Sequence, residues 1–159
     1  MRACCLCGDA ERAYKATRYI LPIEEEYAPV EKTYAPPYAI ANGYSNSDKF
    51  LHRVGFQFLS GTVSYVLRTV YNFFFGLNFS YEGLILKPCI PEAFGDCEVE
   101  FEYLGKKFKA QYVKTQNEVK KFTFNSEELK TEIDERSGKP VAFIPDADML
   151  GENVITVEY

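Results

Sequence analysis

The sequence lacks the features that would place it among membrane, secreted or nucleic-acid-binding proteins. No apolar run approaches the roughly 20 residues that a membrane-spanning helix needs. The N-terminus has no long apolar segment of the kind that forms a secretory signal. Lysine and arginine cluster only as the pairs Lys106-Lys107 and Lys120-Lys121, and the net charge is −5. We therefore predict no membrane span, no nucleic-acid partner and a cytoplasmic location.

Residues for a catalytic or metal site are also scarce. His52 is the only histidine, and no nucleophile stands at a motif spacing from it. GxSxG, Walker A and GxGxxG motifs are absent. Cys4 and Cys7 have the CxxC spacing, but the second close pair that a zinc site needs is missing. We expect no catalytic residues, no metal and no resident cofactor in this chain. The five cysteines are expected to be small buried side chains in a reducing compartment, with metal or redox chemistry as the alternative.

Apolar and aromatic residues, in contrast, are abundant. The sequence is 47% hydrophobic and 16% aromatic, with 12 Tyr, 13 Phe and no Trp. This content supports a real core in one domain or two small ones. Core packing is the expected role of most of the aromatic rings, and a tyrosine-rich sugar-binding surface is the alternative.

Helical signals dominate the first half of the chain. Asp9 is an N-cap for a predicted helix from about Ala10 to Ile20. A second helix is predicted over about 61–75, with Ser60 as its N-cap and Gly76 at its far end. Its apolar stripe is wide, so it needs more cover than the upstream helices can supply. Between the two lies a long irregular segment that contains Pro36-Pro37-Tyr38.

The second half changes to the alternating pattern of β-strands. Residues 97–103 and 107–112 alternate apolar with charged or polar side chains on either side of Leu104-Gly105, which predicts a hairpin. Further short strands are predicted at 84–86, 122–124, 141–144 and 155–159. About six strands, each buried on one side, indicate an antiparallel β-sandwich after the helices, and therefore an α+β fold.

The start of the second helix is the best candidate binding site. Ser60 and Gly61 precede an apolar helix whose first N–H groups and positive dipole end suit a phosphate group. An ordinary helix cap would have the same residues, so composition alone leaves both interpretations open.

An ordered series of motifs gives this helix start a family context. The series is Leu59-Ser60-Gly61-Thr62-Val63-Ser64-Tyr65, Phe74-Phe75-Gly76, Tyr81-Glu82-Gly83-Leu84 and Lys87-Pro88-Cys89-Ile90-Pro91. In this order the motifs resemble the C-terminal part of glycoside hydrolase family 94, the inverting glycoside phosphorylases that include cellobiose, chitobiose and 1,2-β-oligoglucan phosphorylases. Gly8 to Tyr14 and Pro36-Pro37-Tyr38 are also similar, though less closely.

The resemblance implies an architecture larger than this chain. Residues 1–76 would be the last helices and loops of an (α/α)6 catalytic barrel, and 77–159 a C-terminal jelly-roll-like β-sandwich. The catalytic general acid would lie upstream, so the chain alone would be an inactive fragment of a hexosyltransferase. The implied partners are a β-linked disaccharide or oligosaccharide, inorganic phosphate as co-substrate and the remainder of the enzyme chain, with a homodimer as one assembly to consider.

The resemblance also places site residues. It puts phosphate binding on Ser60 and Gly61 and, through a weaker alignment, a contact with the donor sugar on Asn42. It carries no role onto His52. Two alternatives remain: a stand-alone carbohydrate-binding or scaffold β-sandwich with a helical extension, and a truncated remnant of the enzyme.

Overall fold

The computed structural model describes residues 1–21, 40, 43–44, 47, 49, 54–55, 60–116 and 121–159. Within these ranges, helices and a two-stranded sheet come first, and two larger, mostly antiparallel β-sheets follow. The architecture is an α+β fold consistent with a β-sandwich, which confirms this part of the sequence-based prediction.

The helices of the described ranges are short. They are α1 (Arg2–Leu6), α2 (Ala10–Arg18) and α3 (Ser60–Thr69), which continues as a π-helical turn (Val70–Phe74). In the part of the chain that is described, no helix has the length and apolar character needed to cross a membrane.

Helix α2 forms for the reasons that its sequence suggests. The carboxylate of Asp9 accepts a 3.0 Å hydrogen bond from the backbone N–H of Arg12, which satisfies one of the free donors at the helix start. Ala13 and Thr17, one turn apart, are buried. The helix ends at Arg18, two residues before the predicted end, and the backbone then continues into a turn.

The end of α3 differs from the regular helix that was predicted. The backbone N–H of Phe75 donates to the carbonyl of Val70, five residues back, so the last turn holds one residue more than an α-helical turn. Gly76 then ends the helix with a positive φ of 71°, as its position predicts. The extra residue changes which side chains face inward, and Phe74 is 1% exposed.

The strands include every predicted one and several more. Two two-residue strands, β1 (Gly43–Tyr44) and β2 (Val54–Gly55), pair with each other. The first sheet holds β3 (Leu77–Ser80), β4 (Gly83–Leu86), β9 (Thr131–Ile133) and β10 (Pro140–Pro145). The second holds β5 (Cys97–Tyr103), β6 (Lys106–Val113), β7 (Phe122–Phe124), β8 (Glu127–Glu128) and β11 (Glu152–Glu158). Strands β1, β2, β3, β8 and β9 were not predicted, because segments of two to four residues contain too few positions for a periodicity to be recognised.

The strand order corrects one point of the prediction, the wholly antiparallel sandwich. The four-stranded sheet has the order β3-β4-β10-β9, and the five-stranded sheet has the order β5-β6-β11-β7-β8. Strand β11 is antiparallel to β7 but parallel to β6. The reason is geometric: β6 and β7 run in opposite directions, so a strand inserted between them must be parallel to one of them.

Apolar side chains from both sheets form the main core. Leu84 and Ile144 of the four-stranded sheet and Ile155 and Val157 of the five-stranded sheet are fully buried. Thr156, which lies between Ile155 and Val157 on the strand, points the other way, as the alternating sequence requires. This core holds the two sheets together.

A second, smaller cluster connects the helices to the sandwich. Cys5, Ala13, Phe74 and Cys89 are buried together, and Phe94 packs against them. The cluster combines residues from both sides of Gly76. The division of the chain into units 1–76 and 77–159 stays a prediction.

Candidate functional site

The predicted phosphate site lies at the start of α3. The helix begins at Ser60, one residue earlier than predicted, so the backbone of Ser60 belongs to the first turn rather than to the cap position. Gly61 is exposed, and a Cβ added there would meet no atom within 4 Å. The first turn carries no acidic residue. An anion can therefore approach this turn without meeting a carboxylate of the turn itself.

The other candidate residues of the sequence fall elsewhere. Asn42, His52 and the side chain of Ser60 lie outside the described residues. The structure brings Ser60 and Gly61 together in one helical turn, and the sugar contact assigned to Asn42 stays a prediction.

The far end of α3 is fixed to the sandwich by backbone hydrogen bonds. The N–H of Cys89 donates to the carbonyl of Phe74, and the N–H of Lys87 donates to the carbonyl of Gly76, both at 2.9 Å. The amide of Asn78 in β3 donates to the carbonyl of Asn72, also at 2.9 Å. These donors satisfy carbonyls that a helix end leaves without partners. The helix is therefore held at its C-terminal end, and its N-terminal turn carries the candidate site.

Helix α1 supports the middle of α3. The guanidinium carbon of Arg2 lies 3.9 Å from the ring centroid of Tyr65, a cation–π contact. The Arg2 Nε donates a 3.4 Å hydrogen bond to the hydroxyl of Thr69, which itself donates to the carbonyl of Tyr65. Sequence reasoning gave no role to Arg2, since no local pattern relates it to a helix so far along the chain.

Two glycines of the motifs that carry the family resemblance lie where backbones approach closely. Gly83 has a φ of 151°, and a Cβ added there would overlap the backbone carbonyl of Ile144 in β10. Gly76 is similarly close to the backbone of Lys87 and Pro88. Gly76 and Gly83 are therefore required for close backbone approach, Gly76 at the end of α3 and Gly83 between β4 and β10.

Two polar side chains have perturbed acidity for structural reasons. Burial raises the pKa of the Tyr112 phenol, which therefore stays protonated. The pKa of the Asp134 carboxyl is lowered by the ammonium group of Lys87, whose Nζ lies 2.7 Å from Asp134 Oδ1. Hydrogen bonds from the backbone N–H and the hydroxyl of Ser137 lower it further. Neither group lies on α3. Among the residues that the structure describes, no three His, Cys, Asp or Glu side chains converge as a metal site requires.

A groove of about 630 Å³ lies on the four-stranded sheet. Phe143 and Ile85, which face each other across β10 and β4, form part of its surface and are 44% and 38% exposed. Five of its other lining residues are polar or charged and three are apolar: Ser80, Glu82, Lys130, Glu132 and Asp134, and Ile133, Val141 and Ala142. The sequence contained a signal for this surface, because Phe143 is a large apolar residue between the inward-facing Ala142 and Ile144.

A comparison with known proteins found a similar sequence. The chain is similar to the solabiose phosphorylase of Paenibacillus borealis. The two are 26% identical over 102 residues, which cover 64% of this chain and 13% of that protein. The match thus spans a small part of its relative's length. It supports a relationship to glycoside phosphorylases without selecting a particular member. No protein-family model matches the chain.

Proposed function

We propose that this chain is the C-terminal part of an inverting glycoside phosphorylase of the family 94 type. The observation that carries the proposal is the similarity to a phosphorylase across 64% of this chain but only 13% of that protein. Helices followed by a β-rich sandwich are the arrangement that the motif series implies for the C-terminal part of such an enzyme.

The exposed face of α3 supports its place in a larger helical domain. Val63, Leu67 and Tyr71 are 43%, 53% and 42% exposed. They follow one another at spacings of four residues, so they form one apolar stripe along the helix. We propose that neighbouring helices of an (α/α)6 barrel cover this stripe.

The proposed chemistry is phosphorolysis of a β-glycosidic bond. Phosphate attacks the anomeric carbon with inversion, while a general acid from another part of the enzyme protonates the leaving oxygen. The N–H groups of the first turn of α3 and the hydroxyl of Ser60 bind the phosphate oxygens. The product is a sugar 1-phosphate. Without the general acid, the chain alone is expected to be inactive.

The test uses the intact enzyme. Ser60→Ala should raise the KM for phosphate about tenfold, because one hydrogen bond to a charged ligand is lost. Ser64→Ala, an exposed serine one turn further along the same helix, is the matched control and should leave the KM unchanged. Equal KM values for the wild type and Ser60→Ala would remove Ser60 from the site. Release of sugar 1-phosphate by the isolated chain would contradict its inactivity.

A second candidate function is carbohydrate binding by the sandwich itself. The groove at Phe143 supports it, because an aromatic face can pack against the C–H groups of a sugar ring while carboxylates such as that of Glu132 accept hydrogen bonds from its hydroxyls. Calorimetric titration of the chain with β-linked gluco-oligosaccharides tests this candidate. Phe143→Ala should abolish binding, whereas Leu150→Ala removes an exposed apolar residue outside the groove and should not. Absence of heat with the wild type would exclude this function for those sugars.

A further inference from the structure

Two buried cysteines from distant parts of the sequence lie in one small cluster where the helices pack on the sandwich. Cys5 of α1 is 4% exposed and Cys89, which follows β4, is 6% exposed. Both belong to the same small cluster of buried residues, together with Ala13 and Phe74. Each of the two is a free thiol. The expectation of inert buried cysteines explains their burial but not their pairing.

We propose that Cys5 and Cys89 form an intramolecular disulfide when the protein meets hydrogen peroxide. The bond would join α1 covalently to the segment that leads from β4 into the five-stranded sheet. It would also keep Arg2 of α1 against α3.

The surroundings of the pair favour a reactive thiolate on Cys89. The hydrogen bond from the Cys5 thiol, together with the positive charges of Lys139 and Lys87, lowers the pKa of Cys89 against the opposing effects of burial and Asp9. The same pairing raises the pKa of Cys5. Cys5 therefore keeps its proton while Cys89 acts as the nucleophile.

Small cavities lie beside both sulfur-bearing residues. Cys5 lines a cavity of about 280 Å³ together with Phe73 and Lys87. Cys89 lines another of about 120 Å³ together with Ala10 and Tyr159. A peroxide molecule is hardly larger than water, so both volumes are large enough to admit it.

The reaction balances with one peroxide per disulfide. The Cys89 thiolate attacks one peroxide oxygen, the O–O bond breaks, and the departing hydroxide takes a proton and leaves as water. Cys89 is then a sulfenic acid. The sulfur of Cys5 attacks the sulfur of Cys89, the S–O bond breaks, and the Cys5 proton leaves with the hydroxyl as a second water. The two thiols lose two electrons in total, and the peroxide gains them.

The other cysteines must be removed for a clean test. Cys4 packs beside the same cluster, Cys7 is exposed, and Cys97 is half-buried. The variant Cys4→Ser/Cys7→Ser/Cys97→Ser leaves only Cys5 and Cys89. Treatment with hydrogen peroxide, blocking of free thiols and non-reducing mass spectrometry should show one intramolecular link with the loss of two hydrogens. Dithiothreitol should reverse it.

Wild-type protein and a further variant provide the controls. Adding Cys5→Ala to the triple variant should prevent the intramolecular link. The proposal is overturned if the triple variant keeps both thiols free at a peroxide dose that oxidises Cys7 in the wild type. It is also overturned if Cys89 proceeds to the sulfinic acid, or if the wild type links only Cys4 to Cys7.

Stability gives an independent measurement. A disulfide between residues that already share a buried cluster in the native state should raise the midpoint of thermal unfolding of the triple variant by about 5 °C or more, because it restricts the unfolded chain. A lower midpoint after oxidation would mean that the disulfide distorts the native structure. This result would contradict the proposal that Cys5 and Cys89 form a disulfide in the native structure.

Discussion

The phenolic oxygen of Tyr112 donates a 2.7 Å hydrogen bond to the carbonyl oxygen of Phe75. Tyr112 lies in β6 of the five-stranded sheet and is 1% exposed, whereas Phe75 follows the π-helical turn that ends α3. Their rings are also in contact, with centroids 5.1 Å apart. One buried side chain thus connects the core of the sandwich to the end of the helix that carries the candidate phosphate site.

Tyr112→Phe should therefore destabilise the protein by about 1 to 2 kcal/mol, because the carbonyl of Phe75 loses its donor in a buried place. The measurement is the free energy of unfolding from urea denaturation. Tyr81→Phe removes the same hydroxyl from a fully exposed side chain and should cost nothing measurable. Equal stabilities for the two variants would show that the Tyr112 hydrogen bond is not needed.

Gly83→Ala should destabilise the protein by about 2 kcal/mol or more. The added methyl group would overlap the carbonyl of Ile144, and alanine disfavours a φ of 151°. Thermal unfolding followed by circular dichroism measures the loss. Gly151→Ala is the control, since a Cβ at Gly151 meets no atom within 4 Å. Similar midpoints for both variants would mean that β4 and β10 can separate without cost.

The ion pair of Lys87 and Asp134 should make the free energy of unfolding depend on pH in the acid range. The pKa of Asp134 is lower in the folded protein than in the unfolded chain. The carboxylate of Asp134 therefore stabilises the fold fully above its pKa in the unfolded chain, and this stabilisation is lost as the pH falls towards its pKa in the folded protein. Urea midpoints of the wild type should therefore decline from about pH 4 to pH 2 more than those of Asp134→Asn. Lys87→Met should flatten the profile too, because it removes the main cause of the shift. A steep profile in both variants would locate the acid sensitivity elsewhere.

Arg2→Ala should lower stability by about 1 kcal/mol, because the cation–π contact with Tyr65 and the hydrogen bond to Thr69 are both lost. Urea denaturation measures the change. Arg12→Ala, which removes an arginine 77% exposed and paired only locally with Asp9, should stay within about 0.5 kcal/mol of the wild type. If Arg12→Ala lowered the free energy of unfolding more than Arg2→Ala does, the support of α3 by α1 would be contradicted.

Local patterns predicted local structure well. The hairpin of β5 and β6 follows from strict alternation on either side of Leu104-Gly105, and the observed register pairs Tyr103 with Lys106 across that turn. The N-cap at Asp9 and the helix end at Gly76 follow from the chemistry of single residues. Each of these features depends on neighbours within one turn or one strand, so the sequence contains the necessary information.

The candidate site could be predicted only in part. The sequence predicted an accessible helix start at Ser60 and Gly61, and the structure places Gly61 at an open first turn. The roles of Gly83 and Arg2 were not predictable, because the residues that they contact, Ile144 and Tyr65, lie far away in the chain. The motif series contains Gly83 but gives no physical reason for a glycine at this position.

The sequence by itself determined most of the secondary-structure types, the α+β class and the start of α3 to within one residue, because periodicity, caps and turn residues act over a few neighbours. The tertiary structure alone decided that β11 lies between β6 and β7, that the π-helical turn buries Phe74, and that Cys5 and Cys89 lie in one buried cluster. Such contacts join distant segments and depend on how whole faces pack, and no local pattern of residues records which face meets which.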